Sequence, residues 1–569
     1  MRTVVGLLAC WVVAACSPGD ESSSSAASEV RSVVLVTLDT TRRDALGCYG
    51  REPSPSPALD ALAARSTVFD AARTVAPMTL PSHASMLTGL VPPRHTVRDN
   101  SRARLPEEAF SVAEAAALRG LRTGAILAAP VLDPSFGLEQ GFDHYDAPTR
   151  EEARTTGRFG GRLADDISQR ALAWLDEAPD EAFFLWVHYF DPHELYEPAP
   201  EFLSQAGDAY HGEVAQMDAA FGALLSGLEP RLDSTAIVVV ADHGEALGEH
   251  GEETHSAFVY DSTLLVPFFY FDPMSPSSRR VSEPVSVCDV APTILEALEL
   301  DVPPGLDGVS LWRRPAQPER AIYFESLYGA GYFQWSPLVG VVIGDDKYVH
   351  SSRPESFDVA RDPGELVPRD APAIDARAME QLGEVLARPR LGAMERSGEG
   401  PSGDALRALG YVGEGIETGV AELAPTERPS PHERADALRA IRRVMALHNQ
   451  ERLAETIPLA RAILVDDPSN HTILSFLGQN LRALGRPEEA IAPLERFVRE
   501  GPPWLSTWLE LARAYVAVER VEDALARYDA ILAQRRDPSI AKEIARVFAY
   551  LDREDEGIQW LASRGFQQR

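Results

Sequence analysis

Cysteine is scarce in this chain, with four residues in 569. Cys10 and Cys16 lie close to the N-terminus, so only Cys48 and Cys288 remain in the rest of the sequence. These two could pair in an oxidising compartment, but one pair does not make the disulfide network that holds small secreted domains together. The sequence therefore excludes a disulfide scaffold, and its length predicts two or three domains with hydrophobic cores.

Basic residues are much fewer than acidic residues in this chain. The chain has 54 lysines and arginines against 86 aspartates and glutamates, which gives a formal net charge of −32. Nucleic acids and anionic lipid surfaces are bound through basic patches. The composition therefore excludes a nucleic-acid-binding protein. An anionic substrate would need a local positive charge, such as that of a metal ion.

The N-terminus lacks an apolar run long enough to cross a membrane. Residues 4–15 are apolar but too short to span a bilayer, which indicates a signal peptide. The sequence VAAC, ending at Cys16, resembles the lipobox of bacterial lipoproteins, and a plain secretory peptide is the alternative. We therefore expect residues 1–15 to be removed and Cys16 to carry lipid, with residues 16–30 as a flexible tether. Ser17 after this cysteine resembles lipoproteins of the outer membrane, so the predicted location is the bacterial cell envelope, with membrane contact through the anchor only.

Acidic residues occur where two predicted strands end. Asp39 follows the apolar run 33–38, and Asp242 and His243 follow the run 237–240. In open α/β sheets, ligands bind beyond the carboxyl ends of the strands. An ordinary turn is the alternative interpretation of Asp-His-Gly, since Asp and Gly both favour turns. Its place after a strand, with Asp39 in the same setting, favours a metal site.

A hydroxyl residue begins a predicted helix in the segment TLPSH. Thr79 is its first residue, and Pro81 suits the first helical turn. Asp39, Asp242, His243 and Thr79 could together bind one divalent ion, Mn²⁺, Zn²⁺ or Ca²⁺. Such an ion would lower the pKa of the Thr79 hydroxyl and make it a nucleophile. Capping of the helix by Thr79 is the alternative role, and it is compatible with catalysis.

Several separated motifs resemble the sulfatase branch of the alkaline phosphatase superfamily, between residues 33 and 348. They are LDTTRRD at 38–44, PSHASMLTG at 81–89, HTVRDN at 95–100, HYFDPH at 188–193 and ADHGEALGEHG at 241–251. The resemblance implies that Asn100, His188 and His193 contact the substrate ester; a core position is the alternative for His188. It also implies that His255 either assists the leaving group or ligates a second metal ion.

Three positions depart from the family pattern. Active sulfatases carry a cysteine or serine that is converted to formylglycine, with an arginine four residues later. This chain has Thr79 and His83 instead, and threonine cannot form that aldehyde. The two changes resemble threonine-nucleophile members of the superfamily, which include phosphodiesterases and phosphoethanolamine or glycerophosphate transferases. Thr40 stands where many sulfatases carry a second aspartate.

Three functions follow from the resemblance and its departures. The first is a metal-dependent hydrolase of sulfate or phosphate esters or diesters, acting on a small molecule, a glycan or a lipid. The second is an envelope transferase that moves a phospho-substituent to an acceptor. The third is an inactive envelope scaffold, against which the complete set of predicted metal ligands argues.

Apolar runs alternate with helical patterns between residues 31 and 387. This order predicts βαβ units and a mostly parallel sheet with helices on both faces. The resemblance implies an alkaline-phosphatase-like α/β fold with a small C-terminal sheet. Predicted strands lie at 33–38, 123–127, 183–188, 237–240, 266–271, 322–324 and 339–343, and predicted helices at 111–118, 165–175 and 213–228.

A repeat with a period of 34 residues follows a predicted linker at 388–431. Within 432–569, Leu477 recurs as Leu511 and Ala490 as Ala524. This period resembles tetratricopeptide repeats, which would stack as an all-α solenoid with a concave surface for a protein or peptide partner. An irregular helical bundle is the alternative.

Overall fold

The computed structural model describes residues 29–101, 103–149, 151–152, 161–314, 317–392, 395–396, 423–424, 426–534, 538–550 and 552–566. The predicted signal peptide, the lipidation site Cys16 and most of the predicted tether and linker lie outside these residues. Among the residues described, no helix is both long enough and apolar enough to cross a membrane.

The strands include the short apolar runs that the sequence predicts. They are β1 (Ser32–Leu38), β2 (Thr67–Phe69), β3 (Ala72–Arg73), β4 (Ala103–Arg104), β5 (Arg122–Leu127), β6 (His144–Asp146), β7 (Phe183–Tyr189), β8 (Thr235–Ala241), β9 (Phe268–Phe271), β10 (Arg279–Val281), β11 (Val285–Ser286), β12 (Ile322–Ser326), β13 (Leu338–Ile343), β14 (Asp346–His350), β15 (Glu355–Asp358) and β16 (Glu395–Arg396).

Eight of these strands form the central sheet, in the spatial order β10-β2-β9-β8-β1-β7-β5-β6. The strands from β8 to β6 in this order are parallel to their neighbours, and β9 is antiparallel to both β8 and β2. Every residue of β1, β7 and β8 is buried. This burial explains why these strands are continuous apolar runs without polar alternation. The predicted mostly parallel α/β sheet is confirmed.

The helices fall into two groups along the chain. Those of the α/β part are α1 (Pro57–Ala63), α2 (Thr79–Thr88), α3 (Pro92–His95), α4 (Val112–Leu118), α5 (Ala164–Glu177), α6 (Pro200–Ala206), α7 (Ala209–Leu228), α8 (Asp261–Leu264), α9 (Val290–Ala297), α10 (Tyr328–Phe333) and α11 (Pro372–Leu386). The C-terminal helices are α12 (Ala435–Asn449), α13 (Leu453–Asp466), α14 (His471–Ala483), α15 (Pro487–Glu500), α16 (Leu505–Ala517), α17 (Val521–Gln534), α18 (Pro538–Tyr550) and α19 (Glu554–Ser563).

Three smaller sheets and several 3-10 turns complete the described secondary structure. Strands β12 to β15 form an antiparallel sheet in chain order, as the sequence implied, while β3 pairs with β11 and β4 with β16. The 3-10 turns are Arg43–Ala45, Gly47–Tyr49, Pro130–Leu132, Pro134–Phe136, Glu229–Ser234, Glu249–Gly251, Val287–Asp289 and Pro431–Arg434.

The helical region and the α/β part share a hydrophobic core. A single cluster of buried side chains joins Met78, Phe258 and Tyr332 to Leu438 and Phe476 of α12 and α14. The Thr472 hydroxyl also donates to the Tyr332 carbonyl at 2.7 Å. Because Met78 directly precedes Thr79, the helices pack behind the segment that carries the predicted nucleophile.

The described ends of the predicted linker contact the α/β part. The Leu391 N–H donates to the Arg94 carbonyl at 2.9 Å, and the Ser336 N–H donates to the Pro429 carbonyl at 2.8 Å. The two cysteines that remain after the N-terminus, Cys48 and Cys288, are free in the structure. The structure therefore contains no disulfide between Cys48 and Cys288, a pair that the sequence left possible.

Candidate active site

The two predicted aspartates lie side by side at the carboxyl edge of the central sheet. Strands β1 and β8 are neighbours in parallel register, with Leu38 opposite Ala241. The Asp39 N–H donates to the Tyr189 carbonyl at 3.0 Å, and the Asp242 N–H donates to the Leu38 carbonyl at 3.2 Å. These bonds extend the sheet by one residue on each strand, which fixes the backbone of both aspartates.

Backbone amides orient the Asp242 carboxylate. Its Oδ1 accepts hydrogen bonds from the Thr40 N–H at 3.2 Å and the His243 N–H at 2.7 Å, which leaves Oδ2 for another partner. Thr40 has a φ of 46°, in the left-handed region, and its hydroxyl donates to the Pro192 carbonyl at 2.8 Å. Thr40 therefore positions Asp242 and the loop after β7, at the place where the family pattern has an aspartate.

His243 presents one ring nitrogen to both aspartates. Its Nδ1 donates to the Gly244 carbonyl at 2.9 Å, so Nε2 carries the lone pair. This Nε2 lies 3.8 Å from Asp39 Oδ1 and 3.6 Å from Asp242 Oδ2. A tautomer fixed by a backbone carbonyl is typical of histidines that bind metals.

The first turn of α2 is attached to the same edge. Thr79 begins this helix and is 2% exposed. The Ser82 hydroxyl donates to the Asp242 carbonyl at 2.8 Å, and the Leu80 N–H donates to Asn100 Oδ1 at 2.9 Å. These bonds attach the first turn of α2, which Thr79 begins, to the Asp242 backbone and to the Asn100 side chain.

Two further histidines lie against the aspartates. His188 Nε2 is 3.4 Å from Asp39 Oδ2, and His83 Nδ1 is 3.7 Å from Asp242 Oδ2. The two imidazole rings are 5.0 Å apart between centroids. The sequence predicted His188 as a substrate contact or core residue and offered no metal role for His83. The direction of each ring depends on how its helix or strand is turned relative to the aspartates, which the sequence alone does not determine.

His193 and His255 form a row of rings next to His243. The His255 ring centroid is 4.4 Å from that of His243 and 5.3 Å from that of His193. His255 Nδ1 donates to Glu245 Oε1 at 3.1 Å, and the Tyr196 hydroxyl donates to Glu245 Oε2 at 2.9 Å. Glu245 was not among the predicted site residues, although it follows Asp-His-Gly directly in the sequence.

Burial shifts the protonation of these groups. It raises the pKa of Asp39 well above its ordinary value, with a further contribution from Glu245. Burial also raises the pKa of Asp242, helped by the nearby Asp39 carboxylate. It lowers the pKa of His188 to about 3 and that of His243 well below its usual value. The histidines are therefore neutral, as metal ligands must be, and the carboxylates lack a compensating charge.

The unpaired atoms of this cluster fit a metal ion. Buried polar atoms without a hydrogen-bond partner are costly and uncommon in folded proteins. Here several of them converge: both Asp39 oxygens, Asp242 Oδ2, and ring nitrogens of His83, His188 and His243. Among the described residues, no lysine or arginine forms an ion pair with either aspartate. A divalent cation would satisfy these atoms and offset both charges.

Comparisons with known proteins agree with this site. Residues 31–300 match the sulfatase family model. An arylsulfatase of Clostridium perfringens is 22% identical over 59% of this chain and 89% of its own length. A Δ4,5-hexuronate-2-O-sulfatase of Bacteroides thetaiotaomicron is 23% identical over 60% of this chain and 85% of its own.

A solved structure, described as a complex with its substrate D-glucosamine-2-N,6-O-disulfate, has the same fold. It aligns with a TM-score of 0.55 at 20% identity, over 63% of this chain and 97% of that chain. Together with the aspartate pair and His243 at the sheet edge, the match to the family model shows that residues 31–300 form a sulfatase-like ester-hydrolase region.

Proposed function

We propose that this protein is a metal-dependent hydrolase of sulfate or phosphate esters in which Thr79 is the nucleophile. The observation that carries the proposal is the convergence of unpaired ligand atoms from Asp39, Asp242 and His243 beside the first turn of α2. Thr79 begins that turn and is buried with them.

Asp39, Asp242, His243 and Thr79 would hold one divalent ion, Mn²⁺, Zn²⁺ or Ca²⁺. When bound, the ion lowers the pKa of the Thr79 hydroxyl and offsets the negative charge of the ester. His83 supports the nucleophile from the same helix, because its Nδ1 donates to the Thr79 carbonyl at 2.8 Å. A sulfatase with formylglycine would have an arginine at this position.

The side chains around Thr79 suit an in-line displacement. Thr79 Oγ1 gives up its proton to solvent and forms a bond to sulfur or phosphorus, while the bond to the leaving alcohol breaks. His255 takes up a proton from solvent at Nε2, with the Glu245 carboxylate at Nδ1 offsetting the charge, and gives this proton to the leaving oxygen. Asn100 and His193 hydrogen-bond the remaining oxygens of the ester. Water then hydrolyses the covalent Thr79 ester and restores the hydroxyl.

The substrate class is proposed from the relatives. Those named above are an arylsulfatase and a hexuronate sulfatase, and the structural neighbour is described with a disulfated glucosamine. We therefore propose a sulfated or phosphorylated small molecule, glycan or lipid as substrate. An acceptor alcohol in place of water would make the same covalent ester a transfer intermediate, as in the transferase alternative.

We also propose that α12 to α19 are tetratricopeptide repeats that bind a protein or peptide partner. Supporting this, Leu477 and Leu511 are both buried and so are Ala490 and Ala524, one 34-residue period apart. A lipid anchor at Cys16 would place the enzyme in the bacterial envelope, where such a partner and a glycan or lipid ester are accessible.

An assay with three model esters tests the proposed reaction. The purified chain is supplied with Mn²⁺, Zn²⁺ or Ca²⁺ in turn and given an aryl sulfate, an aryl phosphate and a bis-aryl phosphate. We expect turnover of at least one ester, with kcat reduced about 10³-fold or more by Thr79→Ala. His211→Ala is the control, because His211 contacts Asp208 on the surface. Undiminished turnover in Thr79→Ala would exclude the threonine nucleophile. If none of the three esters is turned over, the transferase or scaffold function would be favoured.

A further inference from the structure

The cluster around the aspartates contains more ligand atoms than one ion of the proposed site requires. Asp39, Asp242 and His243 form one group of mutually close donor atoms, and His83, His188 and Asp242 form another. All five residues are fully buried. His83 and His188 have no part in the proposed single-metal site.

The two carboxylates present different oxygens to different histidines. Asp39 Oδ1 faces His243 at 3.8 Å, while Asp39 Oδ2 faces His188 at 3.4 Å. Asp242 Oδ2 lies 3.6 Å from His243 Nε2 and 3.7 Å from His83 Nδ1. Both aspartates therefore lie between two imidazole rings, and the His83 nitrogen nearest Asp242 is the one that donates to the Thr79 carbonyl.

These separations suit atoms that share an ion. Two ligand atoms that each lie about 2.1 Å from a tetrahedral ion are about 3.4 Å apart. Without an ion, an oxygen and a ring nitrogen at 3.4 to 3.8 Å are in van der Waals contact but form no normal hydrogen bond. The distances from Asp39 to His188 and from Asp242 to His243 would fit a cation between the donors.

The free nitrogen of His83 is set by its own helix. Because Nδ1 donates to the Thr79 carbonyl at 2.8 Å, the lone pair is on Nε2, which is buried without a partner. Both ring nitrogens of His188 are also buried without a partner. A histidine buried in a core would ordinarily hydrogen-bond through at least one nitrogen.

We propose that His83 and His188, with Asp242 and Oδ2 of Asp39, hold a second divalent transition-metal ion beside the first. Two imidazoles in the ligand set favour Zn²⁺ or a similar transition metal over Ca²⁺, which prefers oxygen. This inference rests on the metal site of the proposed function, because Asp39 and Asp242 would bridge the two ions. The proposal gives His83 and His188 the same role, as ligands of the second ion. His83 stands where active sulfatases carry an arginine.

Metal stoichiometry tests this proposal without depending on activity. The full chain is freed of metal with a chelator, loaded with Zn²⁺, passed over a desalting column and analysed for zinc per chain by mass spectrometry. We expect two ions in the wild-type chain and one in His188→Leu. We also expect one in His83→Gln, which keeps a donor for the Thr79 carbonyl. His193→Leu is the matched control, a buried histidine of the same pocket outside both ligand groups, and should retain two.

Additional measurements separate this site from the first one. His243→Leu should keep one ion, which anomalous scattering at the zinc edge should place beside His188. Thermal melting of each metal-free variant shows whether the chain is folded. One ion in the wild-type chain, or two ions retained in folded His188→Leu, would overturn the second site. Two ions together with an inactive enzyme would leave it standing and count only against the proposed reaction.

Discussion

The hydrogen bond to Glu245 is the contact on which the proposed proton-donor role of His255 rests. Nδ1 of His255 is held by the carboxylate at 3.1 Å, and that carboxylate is itself held by Tyr196. This arrangement orients the ring, leaves Nε2 to take up a proton, and lets the Glu245 carboxylate offset the charge of the protonated ring. A residue that protonates the leaving oxygen matters most when the leaving alcohol is a poor leaving group.

Replacing His255 with glutamine should therefore affect esters unequally. We expect kcat/KM to fall about 10²-fold or more for an alkyl ester and only a few-fold for a p-nitrophenyl ester, whose leaving group needs no proton. The measurement is kcat/KM over a series of leaving groups with His255→Gln and, as control, His211→Gln. Equal losses for good and poor leaving groups would assign His255 to substrate binding or metal ligation instead.

For individual residues, the sequence pattern predicts which aspartates come together but not which histidines lie beside them. Asp39 and Asp242 follow buried strands, and parallel strands end at one edge, so their proximity follows from the pattern. His188 lies within an aromatic strand, where neighbouring side chains point to opposite faces. Its neighbour Tyr189 hydrogen-bonds Ser168, and only the fold decides that His188 faces Asp39.

The loop after β8 is the element on which the metal ligands depend most directly. Gly244 packs so closely that a Cβ built on it would lie 2.4 Å from the Ser262 carbonyl oxygen. Its N–H also donates to the Thr263 carbonyl at 2.8 Å. The Asp-His-Gly sequence therefore needs its glycine for packing against the segment that begins α8, while the two residues before it are the proposed metal ligands.

Gly244→Ala should displace this loop and with it His243. We expect the free energy of unfolding to fall by about 1–3 kcal/mol and metal affinity to weaken, because a backbone carbonyl cannot move aside as a side chain can. Urea unfolding and zinc titration measure the two effects. Gly383→Ala in α11 is the control: a Cβ there meets nothing within 4 Å, so it should be neutral or stabilising. Unchanged zinc affinity in Gly244→Ala would separate the loop from the site.

Strand and helix positions in the α/β part are largely predictable because the central strands are buried on both faces. Continuous apolar runs predict Phe183–Tyr189 and Thr235–Ala241 to within two residues at each end. The short edge strands are not predictable in this way. His144–Asp146 is polar and three residues long, and only its pairing with β5 makes it a strand.

At the scale of the whole molecule, the helical region is part of the enzyme's core. Arg442 of α12 donates to the His255 carbonyl at 2.6 Å and lies 3.6 Å from the carboxylate of Glu252. Glu252 in turn accepts hydrogen bonds from the N–H groups of Ala257 and Phe258. The loop that carries His255 is thus held by a residue about 190 positions further along the chain, which no local pattern predicts.

Arg442→Gln should therefore weaken both the fold and the reaction. Glu252 is 1% exposed, and burial raises its pKa to about 7 although Arg442 lowers it. Removing the arginine leaves this carboxylate without its cation, which should cost about 3 kcal/mol of unfolding free energy. Since the His255 carbonyl also loses its donor, we expect kcat/KM to fall most for esters with poor leaving groups, as in His255→Gln.

Two further variants separate this coupling from general destabilisation. Arg443→Gln, on the exposed side of the same helix, should change neither the melting temperature nor kcat/KM. The double variant Arg442→Gln with Glu252→Gln should recover most of the stability, because no unpaired charge remains, but not the activity on poor leaving groups. If instead the double variant recovers both, Arg442 serves the fold alone, and the helical region acts on the site only through the hydrophobic core that it shares with Met78.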